Sequence, residues 1–147
     1  MPTKLSTTVK QIRSEVSNPI NSVLINDFYQ YMKANGATER HQNNNLKAII
    51  AFAKFIGSNI TFYDLKQRED IIAFLNTKMK NQEQDPDKKW ITTWNHYLVH
   101  IKHFFRWLYN YKSFEEKGIG DGHDDQPVLP SDWETPQFVK INAMLHD

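Results

Sequence analysis

The 147-residue chain has no cysteine. That excludes a disulfide framework, thiolate metal sites and a cysteine nucleophile. Glycine and proline are scarce, at 5 and 6 residues, whereas aromatic side chains make up 13%. Few breakers and many large apolar groups favour long helices over many short strands. No apolar run approaches the roughly 20 residues that a bilayer span needs. The opening MPTKLSTTVKQIRSEV lacks the apolar core of a signal peptide. A soluble, cytoplasmic protein with no membrane partner is therefore expected. Also missing are GxSxG, a P-loop, GxGxxG and a clustered carboxylate pair. Neither a cofactor nor a small-molecule substrate is expected, and the chain does not read as an enzyme.

The net charge of +1 conceals an asymmetry. Residues 1–112 carry 16 basic and 9 acidic side chains, a balance of +7, and residues 113–147 carry 2 and 8, a balance of −6. A basic body followed by an acidic segment suggests a polyanion-binding module joined to something of different purpose. An ordinary domain with a solvated acidic tail has the same charge pattern.

Four helical segments are legible. Residues 1–17 are polar, with Val9, Ile12 and Val16 at helical spacing, and form a short helix or an arm. Asn18-Pro19 caps and starts the first strong helix, on which Ile20, Val23, Leu24, Phe28, Tyr31 and Met32 follow the 3.6 period up to Asn35-Gly36. Thr38 caps a second helix running to Ile56. Its first half, ERHQNNN, is polar on all sides and is expected to project beyond the bundle. A third helix is expected over residues 65–81, with Ile71, Ile72, Leu75 and Met79 on one face. The fourth, over residues 88–110, buries Ile91, Trp94, Leu98, Ile101, Phe105 and Leu108, spaced 3, 4, 3, 4 and 3. Beyond it, KGIGDGHDDQPVLP reads as a loop, and its aspartates do not match a calcium-binding loop.

Two surfaces carry candidate chemistry. Opposite the apolar stripe of the fourth helix lie Lys88, Lys89, Thr92, Thr93, Asn95, His96, His100, Lys102, His103 and Arg106, and between Lys88 and Lys112 there are five Lys/Arg and no carboxylate. Cations neutralise phosphates there, and hydroxyls and amides bond them without desolvating a charge. The start of the second helix adds Arg40, His41, Gln42, Asn43, Asn44, Asn45 and Lys47. Asn and Gln are poor helix formers, so an amide-rich helix start invites a binding role. A basic solvated face and an exposed helix start remain the simpler readings of both.

His96, His100 and His103 sit at i, i+4 and i+7. Two histidines at i, i+4 can bind zinc, but no HExxH motif, cysteine or nearby aspartate completes a site, so no metal is expected. His103-Phe-Phe-Arg106 spells the H-x-x-R of strand-transferring recombinases. It lies inside an amphipathic helix with Phe105 in the core stripe, and the match reads as coincidence.

Taken together, the segment Thr93 to Leu108 (TWNHYLVHIKHFFRWL) resembles the last helix of the N-terminal core-binding domain of tyrosine recombinases, the phage-integrase family, which typically reads T-x-N-R-x-L-x-x-L-R-x-F-F-x-x-L. Leu24 to Gly36, Thr38 to Ile56 and Thr61 to Leu75 are similar, in order, to that domain's earlier helices. The closing W-x-T-P-x-F-V-K-I resembles the bridge toward a catalytic domain in archaeal integrase-like members. The resemblance covers about residues 20–141. It implies an all-α, four- to five-helix orthogonal bundle of SAM-like type, with residues 18–112 as the DNA-binding core and 113–147 as an acidic loop and linker. It also implies that Thr93, Asn95, His96 and Lys102, and less firmly Arg40, Gln42, Asn43 and Lys47, meet duplex DNA. The family's usual arginine after the asparagine is His96 here, which weakens phosphate binding at neutral pH and makes it pH-dependent. The family's catalytic Arg, Lys, His-x-x-Arg and Tyr set has no counterpart downstream.

The expected function is thus sequence-selective binding of a recombination-site duplex without cutting it, in the cytoplasm at the nucleoid, with other recombinase protomers as further partners. The rival expectation is a helical protein-interaction module.

Overall fold

The computed structural model describes residues 4–65 and 68–109, and every regular element among them is helical. The order is α1 (Leu5–Glu15), α2 (Pro19–Ala34), α3 (Glu39–Ile56), a 3₁₀ turn (Phe62–Asp64), α4 (Arg68–Leu75), a second 3₁₀ turn (Asn76–Lys78) and α5 (Trp90–Trp107). The acidic segment 113–147 and the bridge motif read from it lie outside the described residues.

Within the first seventeen residues, Leu5–Glu15 form a helix rather than an arm. Thr8, Ile12 and Val16 are buried along one side, and α1 packs on α3 and α2. Lys54 of α3 closes a 2.8 Å ion pair with Glu15. Asn18 caps α2 as expected, its side-chain oxygen accepting from Asn21 N–H at 3.0 Å. The inward stripe of α2 differs from the sequence reading. Asn21, Leu24, Ile25, Phe28 and Met32 are buried, whereas Ile20 and Val23 are 51% and 59% exposed. The cause is Asn21, which donates to Ile60 C=O at 2.9 Å and accepts from Phe62 N–H at 2.9 Å. Those bonds turn the first turn of α2 toward the 57–62 connection and leave Ile20 and Val23 outside. Gly36 and Gly57, at φ 78° and 85°, supply the left-handed positions after α2 and α3.

The helix expected over 65–81 is broken into shorter pieces. Thr61 and Asp64 form a capping box around the first 3₁₀ turn, and α4 stops at Leu75. There Thr77 Oγ1 donates to Phe74 C=O at 2.6 Å, and Asn76 Oδ1 accepts from Trp94 Nε1 at 3.3 Å. Side chains that bond locally compete with the helix, and Met79, expected on its buried face, is 46% exposed.

α5 carries the core. All six stripe residues are buried, joined by Trp90, Phe104 and Trp107. Phe104 meets Phe28 and Phe62 edge-on, with ring centroids 5.2 and 4.7 Å apart. The helix begins two residues later than expected because Lys88 takes a left-handed φ of 55°. The buried carboxylate of Asp85 accepts from Trp90 N–H at 2.7 Å and so caps the helix from the preceding loop.

Candidate nucleic-acid interface

The polar first half of α3 does not project from the bundle. It packs on α5, and the amides of Gln42, Asn43 and Asn45 are engaged within the fold, whereas Asn44 is exposed. Gln42 is buried, and its Nε2 donates to Ala37 C=O at 2.8 Å, closing the turn before α3. Asn43 is half-buried and accepts a hydrogen bond from the Thr8 hydroxyl of α1. Burial takes Gln42 off the exposed surface, which corrects its assignment as a DNA contact, while Asn43 is withdrawn only in part. The physical reason is that α1 and α5 flank α3 on two sides, so only part of its circumference meets solvent.

Asn45 is fully buried and organises the α3–α5 contact. Its Nδ2 donates to His41 C=O at 2.8 Å and lies 3.2 Å from His41 Nε2. Its Oδ1 lies 2.9 Å from His100 Nδ1 and 3.2 Å from His103 Nδ1. A carbonyl can only accept, so the His41 carbonyl fixes which way the amide points. Oδ1 must then receive the Nδ1–H of both α5 histidines, which sets their tautomer. Burial, followed by the nearby His96, His41 and His103, lowers the His100 pKa to about 4. Burial, with His41 and Arg106 adding to it, also lowers that of His103. Both rings are neutral at pH 7. The sequence placed them on a solvent-facing basic surface, whereas they point partly inward. Among the described residues no group of three or more His, Cys, Asp or Glu side chains is arranged to hold a metal ion.

The exposed polar side chains of this region lie on α3 and α5. On α5, Lys89, Thr92, Thr93, His96 and Arg106 are exposed, and Asn95 and Lys102 are half-buried. On α3, Arg40, His41 and Asn44 are exposed and Lys47 is half-buried. The two helices meet in an open groove of about 390 Å³ lined by Asn44, Lys47, Ala48, His96, Tyr97, Val99 and His100. Thus the structure brings Lys47 and His96 together, while Arg40 does not line the groove.

Among the described residues no carboxylate pairs with Arg40, Lys47, Lys89 or Arg106. Burial and then the guanidinium of Arg106 hold the Lys102 ammonium pKa below its usual value. Lys102 and Arg106 stand at i, i+4, a like-charge spacing that destabilises a helix by a few tenths of a kcal/mol, roughly. Sequence reasoning placed Asn44 on the candidate surface but missed Val99 as a groove residue and Asn45 as the hub. The signal for Asn45 was its place one turn before the buried Ile49, on the side of α3 that faces α5.

No family model, curated protein or solved structure matches this chain.

Proposed function

We propose that the chain is a duplex-DNA-binding domain that holds DNA without cutting it, of the SAM-like kind that tyrosine recombinases use as their core-binding domain. One observation carries the reading. α3 and α5 present Lys47, His96 and Arg106, and among the described residues no carboxylate pairs with Lys47 or Arg106. Such a face attracts a phosphate backbone and releases its counterions. The resemblance of the α5 sequence to recombinase core-binding helices supplies the second support, and the recombination site and other recombinase protomers are its implied partners.

The test is a mobility shift of random-sequence duplex across a salt series. The expected result is binding at low salt, with log Kd rising by about three units per tenfold increase in salt, as for three to four neutralised phosphates. Absence of binding at low salt rejects the proposal.

A second reading is favoured by one feature on another side of the molecule. The groove between α1 and α2, about 810 Å³ and lined in part by Lys10, Arg13 and Val23, lies beside the exposed Ile20. An apolar rim of that kind suits a protein contact. Binding of a protein partner there, with no affinity for duplex, is the outcome that would favour it.

A further inference from the structure

Along α5, Thr92, His96, Val99, His103 and Arg106 recur at steps of 4, 3, 4 and 3 and therefore fall on one line of the helix. Val99 stands at the middle of that line and is 45% exposed. It is an apolar side chain at the crest of a polar, cationic face, and it also lines the groove shared with Lys47 of α3. Neither local structure nor packing accounts for it. β-branched residues disfavour helices relative to alanine, and the core stripe lies on the opposite side of the helix.

A nucleic-acid duplex offers one apolar group at a base edge, the C5-methyl of thymine in the major groove. Arg106 on the same line and Lys47 across the groove suit phosphates beside it, and the isopropyl group matches the methyl. From this geometry we infer that Val99 seats against a thymine methyl, so that the α5 crest reads an A·T pair directly while its neighbours grip the backbone. The inference rests on the duplex-binding reading above and adds the base that the surface selects.

The experiment uses the full chain. A preferred duplex is selected from a random-sequence pool, and each thymine is then replaced in turn by deoxyuridine, which lacks only the methyl. The expected result is a loss of affinity of about fourfold at one position of the site, the worth of burying one methyl group. Val99→Ala retains the fold, because the position is exposed and alanine favours helix. It binds the thymine duplex about fourfold more weakly and does not distinguish it from the uracil duplex. Equal binding of thymine and uracil duplexes at every position overturns the inference while leaving duplex binding intact. A Val99→Ala protein that keeps the discrimination overturns it as well. Failure of every duplex in the pool to bind rejects the DNA reading and this inference together.

Discussion

Asn45 and His100, 55 residues apart in the chain, meet at 2.9 Å between Oδ1 and Nδ1. The contact joins the two helices that carry the proposed interface. It uses a buried amide whose two donors and two lone pairs all have partners. A fully satisfied polar hub of this kind specifies one arrangement of the helices, because a shift of either helix would strand a buried donor or acceptor.

Replacing Asn45 is therefore expected to be severe. Asn45→Ala removes the partner of both histidine Nδ1–H groups and leaves a void in the α3–α5 contact, for a loss of about 2–4 kcal/mol. Urea denaturation at pH 7 measures this directly. A loss below about 0.5 kcal/mol would show that the hub contributes little.

Acid should loosen the same contact. His100 titrates near pH 4 when folded, against about 6.5 when unfolded. Between those values the unfolded chain binds the proton more readily, so stability rises with pH across that window. The contribution is fully present above about pH 6.5 and is lost as pH falls toward 4. His103, shifted in the same direction, adds to the trend. Thermal midpoints from pH 4 to 7 should fall on acidification, and less so in His100→Gln. A flat profile, or one that His100→Gln leaves unchanged, contradicts the assignment.

The amide-rich start of α3 separates two roles that look alike in sequence. Gln42→Ala should lower stability by about 1 kcal/mol through loss of the bond to Ala37 C=O. It should leave the salt dependence of duplex binding untouched. Lys47→Ala should do the reverse, with an unchanged thermal midpoint and a salt slope shallower by about one unit. An unchanged slope for Lys47→Ala alongside a shallower one for Gln42→Ala would invert the account.

Asn21 tests the fold away from the interface. It holds Ile60 C=O and Phe62 N–H in a fully buried position, so Asn21→Leu should cost about 2–3 kcal/mol by orphaning both backbone groups. Hydrogen exchange at Phe62 should accelerate. Retained protection there would mean that the connection is held by other contacts.

The sequence made the helical class and the α5 stripe legible because six large apolar residues repeat over five helical turns without interruption. Both caps, Asn18 and Thr38, were legible for the same local reason, since each needs only its own side chain and a backbone N–H three residues on. What escaped depended on partners distant in sequence. Gln42, Asn43 and Asn45 look solvent-facing until α1 and α5 are seen to cover them. Ile20 and Val23 look buried until Asn21 is seen to claim the inward side of α2. The break after Leu75 followed from Thr77, which bonds back to Phe74 C=O, and from Asn76, which is held by Trp94 of α5. On the candidate surface the cations of α5 were legible as a carboxylate-free run. The groove that joins them to Lys47 depended on how α3 and α5 cross, which periodicity does not encode.

The most direct test of the central claim is a backbone-amide NMR titration of the isotope-labelled chain with a short DNA duplex at low salt. The account predicts that the perturbed amides cluster at Asn44, Lys47, His96, Val99 and Arg106, and that added salt reverses the shifts. Perturbations confined to the α1–α2 groove around Arg13 and Val23, or none at all, would contradict it.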